Sequence, residues 1–175
     1  ILRFVIVLLV AQGLAACATT KVQRLGEVEE VALSDKWNDT DSRLVADELI
    51  TDMLDFPWYS RFKQTHPGTY PAIIVQRIRN KSHEHIATDT FVNDLKRAVI
   101  RSGQADFVVG GQEREDVRAE IKQQELNSSA SSAKELGNET GADFALTGSI
   151  NSIVDQVGGT RVTFYQIDLK LVNME

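Results

Sequence analysis

Ser152-Ile153-Val154-Asp155-Gln156-Val157-Gly158-Gly159-Thr160-Arg161-Val162-Thr163-Phe164-Tyr165-Gln166-Ile167-Asp168-Leu169-Lys170-Leu171-Val172 is the stretch that decides the fold. Two alternating runs, Ala142 to Val157 and Thr160 to Val172, flank a Gly-Gly pair, the signature of a two-residue hairpin turn. That turn sets Val157 opposite Thr160, and every upstream pair follows because side chains alternate with period two. One face then carries Leu146, Ile150 and Val154 with Tyr165, Ile167, Leu169 and Leu171, a core face. The other carries Ser149, Asn151 and Asp155 with Gln166, Asp168 and Lys170, a solvated face. Near the tip this outer face turns apolar, with Ile153 opposite Phe164 and Val157 and Val162 beside them. Such a patch is expected to be covered by a helix or, failing that, to be a contact surface.

Upstream, Pro71 to Asn80 reads as a strand whose first half is apolar on both faces. A polar loop over 81–87 leads to a helix over about 89–102, which Thr88-Asp89 is placed to cap and Gly103 to stop. Phe91, Val92, Leu95, Val99 and Ile100 would form its buried side. Asp106-Phe107-Val108-Val109 is a second short strand, and strand–helix–strand order implies parallel pairing. An earlier helix, about 41–56, follows the capping residues Asn38-Asp39-Thr40-Asp41 and ends at Pro57. Its apolar positions are Leu44, Val45, Leu49, Ile50, Met53, Leu54 and Phe56. Residues 112–126 offer only Val117, Ile121 and Leu126 to a core, so that helix is peripheral. A short helix from Ala133 to Glu139 is expected after the serine-rich break, and Val31-Ala32-Leu33 as a short edge strand.

The N-terminus has its own logic. Arg3 precedes an apolar run, Phe4 to Ala11, too short to span a bilayer permanently. Leu14-Ala15-Ala16-Cys17 then looks like a bacterial lipobox, with small side chains for the peptidase and a thiol to receive a diacylglyceryl group. Residues 1–16 are expected to be a signal peptide, Cys17 the lipidation site, 17–30 a tether, and 31–175 one domain. Ala18 after the cysteine favours the outer membrane, on its periplasmic side. With a single cysteine, no intramolecular disulfide can form. A formal net charge of −6 over 175 residues argues against nucleic acid, whose phosphates demand Lys and Arg.

Catalytic constellations are not found. His83 and His85, with His66 upstream, lack a third ligand at a recognisable spacing. Gly110-Gly111 precedes acidic residues that would repel a phosphate. No metal, cofactor or small-molecule substrate is called for. Trp58, Tyr59 and Phe62 form an aromatic cluster that reads either as packing under a loop or as a binding ridge.

Several further motifs stand in a fixed order along the chain. They include Ala32-Leu33-Ser34-Asp35-Lys36-Trp37-Asn38-Asp39, the Pro57-Trp58 helix end and Val75-Gln76-Arg77-Ile78-Arg79-Asn80. Gly141-Ala142-Asp143-Phe144-Ala145-Leu146-Thr147-Gly148 and Tyr165 to Val172 complete the set, and together, from about residue 31 to the end, these motifs resemble the LpoB family. The resemblance implies an outer-membrane lipoprotein that activates a class A penicillin-binding protein and is not an enzyme. It implies an α/β (α+β) single domain, a mixed sheet of about four strands flanked by helices, ending in a β-hairpin. It further implies a sequence that continues past Glu175 with a turn and another strand segment. The expected partner is the synthase's regulatory domain, and the expected contact residues are Trp58, Tyr59, Ile153, Val162 and Phe164. One departure from the family is the tether, since a dozen residues extend only about 40 Å. Gly-Ala-Asp-aromatic also occurs in CsgG-like domains, so the alternative is a structural or secretion-assembly lipoprotein of the envelope.

Overall fold

The computed structural model describes residues 36–129 and 139–174. Its largest feature is the expected hairpin, β3 (Phe144–Val157) against β4 (Thr160–Asn173). The register is the one the turn dictates, with Val157 opposite Thr160, Ile153 opposite Phe164 and Leu146 opposite Leu171. Both turn glycines have positive φ, 59° at Gly158 and 85° at Gly159, which a side chain would strain. On the other side of β3 lies β1 (Ala72–Asn80) in parallel, and β2 (Asp106–Phe107) pairs in parallel with β1. The sheet is therefore mixed and four-stranded, in the order β2-β1-β3-β4. The strand expected over 106–109 shortens to two residues, although Val108 N still donates to Ile73 O at 3.0 Å.

Four helices are described: α1 (Asp39–Asp55), α2 (Pro57–Thr65), α3 (Thr88–Ser102) and α4 (Gly111–Asn127). At the start of α1, Asn38 Oδ1 accepts from Thr40 N at 2.8 Å and Asp41 N at 3.2 Å. Asp41 Oδ2 accepts from Asn38 N in return at 3.0 Å, a reciprocal capping box. The buried stripe of α1 is Ser42, Ala46, Ile50, Met53 and Leu54. Leu44 and Phe56, expected in the core, are exposed instead, because small residues at 42 and 46 let the helix approach its neighbour closely. That neighbour is α3, and the contact holds a buried polar pair, Ser42 Oγ donating to Asp94 Oδ2 at 2.6 Å. Removing the donor leaves a buried carboxylate oxygen without that partner, so Ser42→Ala should cost roughly 2 kcal/mol. A urea midpoint unchanged by the substitution would show that water takes over the bond.

Along α3 the core face is Phe91, Asp94, Leu95, Ala98 and Val99, while Ile100 points to solvent. Thr88-Asp89 does not cap this helix. Ala87 holds the N-cap position without a side-chain bond, and Gly103 ends the helix at φ 62° as expected. Helix α2 is an element the sequence pattern does not reveal. Pro57 does end α1, but it also occupies the first turn of the next helix, where its missing N–H is no loss. Helix α4 buries no residue and is tied mainly by polar contacts, such as Lys96 Nζ to Glu113 Oε1 at 2.6 Å. Cys17, the leader, the tether, Val31-Ala32-Leu33 and residues 133–138 of the expected short helix lie outside the described residues.

Phe91, Ile50, Ile73, Ile78, Leu95, Leu146 and Ile150 are the largest fully buried side chains. The strand members among them all point to one sheet face, where α1 and α3 pack. Among the described helices none packs across the opposite face of β3 and β4.

Candidate functional site

Ile150 is the last fully buried residue of β3, and the hairpin continues from it to Val157. At about 3.3 Å per residue this makes a two-stranded finger projecting some 20 Å past the core. The helix expected to cover its outer face is absent among the described residues. Ile153, Val157, Val162 and Phe164 are 61%, 74%, 43% and 58% exposed, and Val154 on the other face is also exposed. An isolated hairpin is marginal in water, so a finger that presents such a patch needs support from behind.

The loop between β1 and α3 supplies that support. His83 N and Nδ1 both lie against Ser152 Oγ, at 3.1 and 2.6 Å. Arg161 Nη2 lies 2.9 Å from His83 Nε2. Arginine can only donate, so Nε2 accepts and Nδ1 carries the proton toward Ser152. One residue on, Glu84 Oε2 accepts from Tyr165 Oη at 2.7 Å, and Tyr165 Oη accepts from Trp37 N at 3.1 Å. Trp37 stacks edge-on against both Tyr165 and Phe91, centroids 5.5 and 5.8 Å away. The inner face of the finger is thus fixed to the core through His83, Glu84 and Trp37, while the apolar side chains of its outer face stay exposed. In the sequence His83 reads only as a loop residue or a stray ligand, since nothing local marks a contact across the sheet. His66 lies elsewhere, stacked on Phe62 at 4.4 Å, and no group of three or more metal-ligating side chains converges among the described residues.

Trp58 and Tyr59 sit at the other end of the hairpin. Trp58 packs on Phe144, centroids 4.7 Å apart, and its Nε1 donates to Met53 O at 2.6 Å. Tyr59 Oη donates to Gln104 O at 3.0 Å. Both rings are half-buried and packed against the core; Trp58 wedges between α2 and the base of β3, while Tyr59 ties α2 to the segment after α3. Phe144 and Ile153 are about 30 Å apart along the strand, so the wedge and the fingertip patch do not form one cluster.

Burial raises the Tyr59 phenol above its ordinary value, with neighbouring Tyr70 adding to the shift. An unfolded chain would ionise that phenol first. The stability from keeping it neutral is therefore whole below about pH 10 and is lost as pH climbs through the raised folded value. Tyr59→Phe should flatten the alkaline fall of the melting temperature between about pH 9 and 11. An identical fall in the variant would assign it to other groups.

The glycine pair at the start of α4 has a packing role. A side chain at Gly110 would run into Ile74, and Gly111 adopts φ 54°. Gly148, under the base of the finger, is the tightest position of the sheet, where a Cβ would meet the backbone of Asp168 and the side chain of Leu169.

Residues 41–175 match the family described as the peptidoglycan-synthase activator LpoB. No curated protein sequence matches the chain. Among solved structures, the LpoB C-terminal domain from Salmonella enterica aligns with 15% identity and a TM-score of 0.38, covering 77% of this chain and 99% of that one. The LpoB C-terminal domain from Escherichia coli aligns with 15% identity and a TM-score of 0.39, covering 75% and 87%.

Proposed function

We propose a function from the premise that this chain belongs to the LpoB family, the peptidoglycan-synthase activators. The domain is a binding module without catalytic activity. It docks on the regulatory domain of a class A penicillin-binding protein and stimulates glycan polymerisation and peptide cross-linking. Acyl chains on Cys17 hold it to the periplasmic side of the outer membrane. Docking acts by differential affinity, since a ligand that prefers the synthase's active state raises the population of that state.

The observation that carries this reading is the braced finger with its open apolar face, Ile153, Val157, Val162 and Phe164. A rigid aromatic on a preorganised support loses little entropy on binding and suits the centre of an interface. Trp58 contributes indirectly, by packing on Phe144 at the hairpin's base, and Tyr59 by packing on Trp58.

The direct test adds the purified full chain, in detergent, to a purified class A penicillin-binding protein from the same organism, with lipid II as substrate. Stimulation that saturates with dose is expected. An active synthase unmoved by excess folded chain would overturn the reading and favour a structural role in the envelope.

A further inference from the structure

We propose that the outer sheet face also carries a basic docking strip, Arg79, Lys81 and Lys170, that takes an acidic protein surface beside the apolar fingertip contact. The inference rests on the reading above and adds the chemistry of the partner's surface.

The register sets Arg79 beside Ser149, Ser149 beside Asp168, and Thr147 beside Lys170. Ile78 is 1% exposed and faces the core, so Arg79 and Lys81 flank the opposite face, where alternation also puts Lys170. All three are exposed, and they line one concavity together with Ser149 and Asn151. None makes an ion pair with a described residue, whereas Arg43, Lys96, Arg101 and Arg118 each do. Three carboxylates line the same concavity: Asp168 accepts from Asn151 Nδ2 and Gln166 Nε2, each at 2.9 Å, Asp143 accepts from Ala72 N at 2.7 Å, and Asp52 comes from α1.

In a chain of net charge −6 this face reverses the local sign. Burying three cations against a neutral surface would cost desolvation with no return, so the complementary partner is acidic there. The strip is continuous with the fingertip, since Lys170 and Phe164 lie on the same face of β4 about 20 Å apart. A protein interface of ordinary size, roughly 800 Å² per partner, spans both. An anionic bilayer would also attract the cations. The overall charge of −6 and Asp155 beside the patch oppose that approach.

The two halves have separable kinetics. Rim charges set the association rate and its salt dependence, while the desolvated apolar centre sets dissociation. The test measures association of the full chain with the same purified synthase at about 0.05 M and about 0.5 M salt, where screening lengths differ severalfold. The triple variant Arg79→Glu, Lys81→Glu, Lys170→Glu should associate about tenfold more slowly at low salt, with dissociation unchanged and the difference gone at high salt. The milder triple glutamine variant should fall between, and its melting curve guards against loss of fold. Equal association by wild type and both variants would remove the strip and leave the fingertip reading standing. Failure of the wild type to bind the synthase would remove both. A charge-dependent binding to phosphatidylglycerol vesicles, with none to the synthase, would assign the face to lipid and overturn the proposal.

Discussion

Phe164→Asp is expected to abolish stimulation of the synthase while leaving the fold intact. Phe164 is 58% exposed and pairs with Ile153, itself 61% exposed, so little native packing is lost when the ring is removed. Surface changes of this kind usually stay within about 1 kcal/mol of stability. In the complex the same position would hold a charge within a desolvated apolar contact. Central aromatics of this type contribute at least about 2 kcal/mol when lost, roughly a thirtyfold weakening. A variant with an unchanged melting temperature and no stimulation would locate the contact at the fingertip. Wild-type stimulation by the variant would remove the hairpin from the interface.

Gly148→Ala should have the largest effect on stability of any single methyl group added to the sheet. Its Cβ would press on the backbone of Asp168, which cannot rotate away as a side chain can, and on the Leu169 side chain. Overpacking of this sort costs about 3 kcal/mol, enough to lower the melting temperature by some 10 °C. The damage would fall where β3 and β4 leave the core, so the finger should loosen as well. Gly141→Ala is the matched control, because nothing lies within 4 Å of the added atom. A Gly148→Ala protein that melts with the control would mean that β4 shifts freely, and that the base of the finger is not fixed.

The parts of the fold legible in the sequence are those set by local chemistry. Gly158-Gly159 determines the hairpin register, and the register alone places Ile153, Val162 and Phe164 together on the outer face. Parallel pairing of the strands around α3 follows from their order in the chain. Elsewhere tertiary contact overrides a local signal. Leu44 and Phe56 look like core residues, yet the stripe that packs is the one with Ser42 and Ala46, because helix approach rewards small side chains there. Pro57 reads as a stop when it is both a stop and a start. The brace through His83 leaves no local mark, because Ser152 and Arg161 are distant in sequence and become its neighbours only when β1, β3 and β4 assemble. The apolar patch at the fingertip is legible, but its exposure is not, since no local pattern reports where a distant helix will pack.

Site-specific photocrosslinking tests the docking claim most directly. A photoreactive residue placed at position 164, in the full chain, is irradiated with the purified synthase, alongside one at Leu126 on the far helix α4, which is 73% exposed. Adducts to the synthase's regulatory domain from position 164, and none from position 126, are the expected result. Adducts from 126 alone, with stimulation preserved, would contradict docking through the hairpin.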